Sequence, residues 1–131
     1  MLDFERTSSA EAVSNEECLE ISVRGNITQA TLIDSGQPFH AAGGTDVFKR
    51  TVILNLEQVE FIDSSGIGWL LTHQKQFREN EGHLVLHSLS AMVQKVFGLM
   101  KLSKVFTVAE SRDDALVAAA QRNEDETRWE F

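Results

Sequence analysis

The run Thr51-Val52-Ile53-Leu54-Asn55-Leu56 is dense in β-branched and aliphatic side chains, as a buried strand requires. A few positions later Ile67, Leu70, Leu71 and Phe77 recur at helical spacing, and Gly82 stands where a C-cap glycine would. A strand feeding directly into a helix limits the chain to folds in which helices pack on a sheet. The joint, Phe61-Ile62-Asp63-Ser64-Ser65-Gly66-Ile67-Gly68, puts two hydroxyls at a helix N-terminus, where free N–H groups and the helix dipole favour negative charge. Read alone, that spelling fits either a plain N-cap or an anion or phosphate site.

Around this joint the chain alternates strand and helix. Leu2 and Phe4 alternate with acidic residues as a short edge strand, and Thr7 to Glu17 reads as turn or loop. From Cys18 to Ile27, Leu19, Ile21 and Val23 alternate with Glu20, Ser22 and Arg24, giving a strand with one wet face. Thr28 caps a short or kinked helix through Ala30, Leu32 and Ile33, which Gly36 and Pro38 interrupt; an irregular connection follows, broken again at Gly43-Gly44. After the strand at 51–57 and the helix at about 65–81 comes a strand from His83 to Leu89. It sets Leu84 and Leu86 against His83, Val85 and His87, and the two histidines are expected to be partly exposed. Ser90 caps a helix carrying Met92, Val93, Val96 and Phe97, Val105 to Val108 forms a short strand, and Ser111 opens an Ala-rich helix from about 112 to the mid-120s.

This order predicts an α/β fold: one domain over 1–131, its core at about 18–120 and a charged tail at about 121–131. The sheet is expected to be mixed, mostly parallel, with roughly four to five strands flanked by about four α-helices. Polar residues at alternate strand positions predict that one sheet face is less covered than the other. Trp129 and Phe131 in the tail are apolar anchors that can dock on a neighbour.

Composition narrows the function classes. A net charge of -8 with scattered Lys and Arg argues against nucleic acid; it favours solubility and a basic partner. Apolar content of 42% without a long apolar run predicts no membrane span, and the opening residues lack a signal peptide's pattern. The single cysteine, Cys18, fits a reducing compartment and a place in the core as a small hydrophobe, so the expected location is cytoplasmic.

Catalytic readings fail on spacing. Ile62-Asp63-Ser64-Ser65-Gly66 lacks the first glycine of a nucleophile elbow. His73 falls about 12 Å along the helix from Ser65, too far for a Ser–His hydrogen bond, and nothing in the sequence brings His40 closer. His83 and His87 lie about 13 Å apart along a strand, too far to share a metal ion. Gly66-Ile67-Gly68 lacks the third glycine of the dinucleotide fingerprint, and no Walker lysine follows. No catalytic residue, metal site or cofactor is expected.

The segment from Val52 through Phe61-Ile62-Asp63-Ser64-Ser65-Gly66-Ile67-Gly68 resembles the core signature of STAS domains of the anti-sigma factor antagonist type. The resemblance extends through Gly82 to Leu86, Val96-Phe97, Leu102 to Phe106 and Asp114-Ala115-Leu116. It implies a binding switch and no enzyme. The partner would be an anti-sigma factor that is also a serine kinase. That kinase would phosphorylate the second serine, Ser65 (Ser64 being the lesser candidate), and a separate PP2C-type phosphatase would reverse it. The residues expected to meet the partner are Asp63, Ser64, Ser65, Gly66, Ile67 and Trp69, with Asn26 and Thr28 on the preceding segment. Gly25-Asn26-Ile27-Thr28 stands where the antagonist type carries Gly-Glu-hydrophobic-Asp, so both carboxylates of that segment are missing. The other reading is a STAS-like module that senses a small ligand near residues 25–50 or acts as a scaffold, its serines only capping a helix.

Overall fold

Val52, Leu54 and Leu56 are each fully buried, and so is Ile53 on the opposite side of the same strand. A strand dry on both faces has to lie inside the sheet with cover above and below. In the computed structural model, which describes residues 2–6, 18–33 and 35–121, it is the central strand. The five strands are β1 (Asp3–Arg6), β2 (Cys18–Arg24), β3 (Thr51–Gln58), β4 (His83–His87) and β5 (Thr107–Ala109), lying side by side in chain order. β1 is antiparallel to β2, and every later pair is parallel. The mixed, mostly parallel sheet expected from the sequence is what forms. The loop at 7–17, the continuation of the last helix into the 120s and the tail with Trp129 and Phe131 lie outside the described residues.

The helices are α1 (Gln29–Leu32), α2 (Pro38–Gly43), α3 (Ser64–Glu79), α4 (Ala91–Leu99) and α5 (Arg112–Ala120). On one sheet face Leu19, Ile21 and Val23 of β2 join Val52, Leu54, Leu56, Leu84 and Leu86 in a core closed by Leu70 and Phe77 of α3 and by Val93 and Phe97 of α4. The other face holds a much smaller cluster, Ile53 and Val85 against Ala115 of α5. The expected asymmetry between faces is therefore present.

Several elements depart from expectation for local reasons. Pro38 starts α2 at its first position, where its missing N–H costs nothing. The short helix it opens buries Phe39 in an aromatic cluster with Phe4 (5.1 Å), Trp69 (5.7 Å) and Phe77 (5.3 Å). The chain after α3 turns through Glu81, whose φ is 66°, while Gly82 is needed for space: a Cβ there would lie 2.2 Å from the Phe48 carbonyl oxygen. Val105 and Phe106 follow a 3-10 turn at Leu102–Lys104 and both donate to the Leu102 carbonyl, so β5 begins only at Thr107. His87 is 3% exposed, not partly exposed as expected, because α5 comes down over its face of the sheet. Cys18 is partly exposed at the edge of the α5 cluster, where burial, with Glu20 next, raises its thiol pKa.

Candidate functional site

At the end of β3 the chain runs through buried Val59 and Ile62 into α3, while Phe61 between them is 44% exposed. Ile62 pairs with Ile27 in an isolated parallel bridge. Ile27 N–H donates to the Phe61 carbonyl at 3.1 Å, and Asp63 N–H donates to the Ile27 carbonyl at 3.3 Å. The Asn26 side-chain oxygen accepts from Phe61 N–H at 3.1 Å. These bonds clamp segment 26–28 to segment 61–63 and bring the starts of α1 and α3 together.

Asp63 is the N-cap of α3, its backbone extended and its Oδ1 accepting from Gly66 N–H at 2.9 Å. Its Oδ2 accepts from Gln29 N–H at 3.1 Å, in the first turn of α1. One carboxylate thus serves two helix starts. The Gly66 bond, together with those from Gln29 and Ser65, holds its pKa below the ordinary value, against a smaller opposing effect of burial. α1 has its own cap: Thr28 Oγ1 accepts from Thr31 N–H, and Thr31 Oγ1 accepts from Thr28 N–H at 3.0 Å.

Gly66 fits for a steric reason. A Cβ at that position would lie 2.0 Å from the Ile27 carbonyl oxygen, so only glycine lets α3 approach segment 26–28 this closely. Gly68, two positions on, has open space where a Cβ would go.

The residues expected to meet a partner therefore divide. Ser64 and Ser65 are exposed, and neither hydroxyl has a hydrogen-bond partner among the described residues. Asp63 is half-buried and committed to the two helix starts. Gly66 is buried under the Ile27 carbonyl, and Ile67, 6% exposed, faces the core. Trp69 is half-buried, stacked on Phe39 and 4.2 Å from the His73 ring. Asn26 is exposed and Thr28 half-buried, and both hold backbone. Exposed Phe61, on a clamped segment, and Ile33, at the C-terminal end of α1, are apolar surface that helical and strand periodicity did not single out. The bond from Asp63 to Gln29 was equally invisible, since it joins residues 34 positions apart.

The geometry also bears on the catalytic readings. His73 Nδ1 donates to the Trp69 carbonyl at 2.8 Å within the aromatic cluster, and burial lowers its pKa. It is no base for Ser65. In the 36–50 stretch Phe39, Val47 and Phe48 are buried as part of the main core. Among the described residues no group of three His, Cys, Asp or Glu is placed to hold a metal ion, and no helix is long and apolar enough to cross a membrane.

Comparison with known proteins bears on the family and the fold. Over 77 residues the chain is 36% identical to BtrV of Bordetella bronchiseptica, named by assignment as an anti-sigma factor antagonist; the match covers 59% of this chain and 66% of that protein. The fold is similar to a sulfate transporter family protein from Wolinella succinogenes, with a TM-score of 0.68 at 16% identity over 89% of this chain and 96% of that one. It is also similar to the phosphorylated form of the Bacillus cell fate determinant SpoIIAA, with a TM-score of 0.55 at 22% identity over 88% of this chain and 97% of that one. Residues 8–115 match the STAS domain, a span that holds β2 through β5 together with the Asp63-Ser64-Ser65-Gly66 corner. The chain belongs to the STAS domain family.

Proposed function

We propose that this chain is an anti-sigma factor antagonist: it binds an anti-sigma factor that is also a serine kinase, and phosphorylation of Ser65 ends that binding. A PP2C-type phosphatase restores the binding form, and the cycle runs in the cytoplasm. The observation that carries the reading is the division of labour at the corner. Asp63 supplies the cap and the link between helices, so the Ser65 hydroxyl is exposed and unused by the fold. The likeness to BtrV and the existence of a phosphorylated form of SpoIIAA support it.

Phosphoserine adds about -1.5 to -2 charge at neutral pH. In the first turn of α3 the helix dipole offsets part of that charge, so the fold can carry it. A docked partner meets it differently. The phosphate adds bulk and negative charge beside Asp63 and the exposed Glu60, on a surface where a complex needs close contact. Exposed Phe61 supplies an apolar contact for the unmodified complex.

The test is to incubate the chain with ATP and the serine-kinase anti-sigma factor of its own genome, then map phosphate by mass spectrometry. One phosphate on Ser65 is expected, with none on Ser65→Ala, and Ser65→Asp should lose the partner while keeping its circular dichroism spectrum. Phosphate on another residue with Ser65 untouched would sink the reading. Absence of phosphate with intact binding would favour a scaffold, as the shared fold of the Wolinella protein allows.

A further inference from the structure

Helix α4 is apolar on more than its buried side. Val93 and Phe97 lie in the core, while Met92, Val96, Leu99 and Met100 recur at the i, i+4, i+7 and i+8 spacing that lines side chains along one flank. Val96 is half-buried, and Met92, Leu99 and Met100 are 47%, 75% and 55% exposed. Single exposed apolar side chains are ordinary. A row of them along about 12 Å of one helix is a surface that association covers.

The charge around this row is opposite to that of the chain. From Gly82 to Ala109 there is no Asp or Glu, yet Lys95, Lys101 and Lys104 stand there in a chain of net charge -8. All three are exposed, and none forms an ion pair among the described residues. Lys95 is one helical turn from both Met92 and Leu99, and Lys101, at φ 56°, leads from α4 into the 3-10 turn that holds Lys104. Two copies pairing these rows about a two-fold axis would set lysine against lysine. The occupant that fits is acidic and carries apolar anchors.

A segment of that composition is in the chain itself. Residues 122–131, outside the described residues, contain Glu124-Asp125-Glu126 and then Trp129-Glu130-Phe131. Its starting point is close to the end of α4. β4 and β5 are parallel, and α4 and α5 each run back from the strand they follow, so both helices end at the edge where the strands begin. α4 lies on the main-core face and α5 on the other. Rounding that edge takes roughly 20 Å at roughly 10 Å per packed layer, and the chain from Gln121 to Trp129 extends to about 26 Å. So short a tether gives an effective concentration in the millimolar range, enough to fill a contact that is weak on its own.

We infer that Trp129 and Phe131 lie along the row of Met92, Leu99 and Met100, with Glu130 and the acids at 124–126 meeting Lys95, Lys101 and Lys104. The contact does not involve Ser65 and stands independently of the switch proposed there. In NMR of the full chain at low salt, the Trp129 and Phe131 rings should show nuclear Overhauser contacts to the methyl groups of Met92, Leu99 and Met100, unchanged on tenfold dilution. Trp129→Ala should move the amide signals of α4 and of residues 101–104 and leave those of 61–66 in place. Leu99→Glu, and separately Lys95→Glu with Lys101→Glu, change exposed positions only; each, with its circular dichroism spectrum unchanged, should cut the ring contacts to Met92 and Met100 at least about fivefold, as expected when an apolar anchor site or its screening-sensitive charges are reversed. Rings that touch no part of α4, contacts that fade on dilution and so come from another copy, rings seated elsewhere on the molecule, or contacts that survive both variants would each overturn the inference.

Discussion

Gly66→Ala tests the geometry of the corner more directly than any change at the serines. The added Cβ would lie 2.0 Å from the Ile27 carbonyl oxygen, 2.8 Å from Ile62 Cγ1 and 2.9 Å from the Ile27 carbonyl carbon. Two of these are backbone atoms, so no rotamer change relieves the contact; α3 or segment 26–28 has to move. Overpacking of this kind costs about 1–3 kcal/mol. The movement also weakens the two bonds that clamp Ile27 to Phe61 and Asp63, each worth about 1 kcal/mol. Against this, alanine is favoured over glycine in a helix by about 1 kcal/mol. The net expectation is a loss of about 2–4 kcal/mol. With about 2.1 cal/mol/K of unfolding entropy per residue over 131 residues, that lowers the thermal midpoint by about 7–15 °C. Gly68→Ala is the matched control: it is in the same helix with nothing within 4 Å of the new methyl group, so it should raise stability by about 0.5–1 kcal/mol. Urea and thermal unfolding of both variants give the answer. Gly66→Ala unfolding at or above the wild-type midpoint, or Gly68→Ala falling with it, would refute the close-approach argument.

Phe39→Ala removes the centre of the aromatic cluster from a site only 1% exposed and should cost about 3–5 kcal/mol in urea unfolding, a loss that a mere surface turn at 38–43 would not show. Asp63 has a folded-state pKa below its unfolded value near 3.8, so it contributes stability above that pH and loses it as pH falls through the folded value. Asp63→Asn cannot protonate; its stability–pH curve should therefore lie below wild type at pH 7 and flatten from about pH 5 downward. Superimposable acid limbs would show that the carboxylate does not bridge the two helix starts. Ser65→Ala, at an exposed hydroxyl without a partner among the described residues, should change unfolding stability by no more than about 0.5 kcal/mol.

How much the sequence revealed follows from how local each signal is. Thr28, Ser90 and Ser111 each cap the helix they precede, because a cap is a bond across three residues and its spelling sits in one window. Alternation placed Leu19, Ile21 and Val23 in the core for the same reason. The segment at 36–50 resisted reading because its partners are distant: Phe39 makes sense only beside Phe4, Trp69 and Phe77, which the sheet brings together. His87 looked half-exposed because its neighbour across the face, Arg112, is supplied by a helix 25 positions later. At the corner, the Asp-Ser-Ser-Gly spelling marked the start of α3, but the second duty of Asp63 toward Gln29 depends on tertiary contact and left no local trace.

That second duty bears on how a switch can occupy this corner without endangering the fold. Apart from exposed Ser64, the residues around Ser65 are already committed: Asp63 joins α1 to α3, Gly66 admits the Ile27 carbonyl, and Ile62 and Ile67 are in the core. If a serine had served as the cap, a phosphate on it would have removed the acceptor for the Gly66 N–H and loosened α3. With the cap on an aspartate whose pKa is depressed, that N–H stays satisfied at neutral pH whatever happens to the hydroxyl two positions on. Stability and surface chemistry are therefore separable here. Changes at 63 or 66 are expected to act on the fold, while on the proposed reading changes at 65 act on the partner that docks. A Ser65 variant that lost partner binding and stability together would contradict this separation, whereas loss of binding alone is the signature it requires.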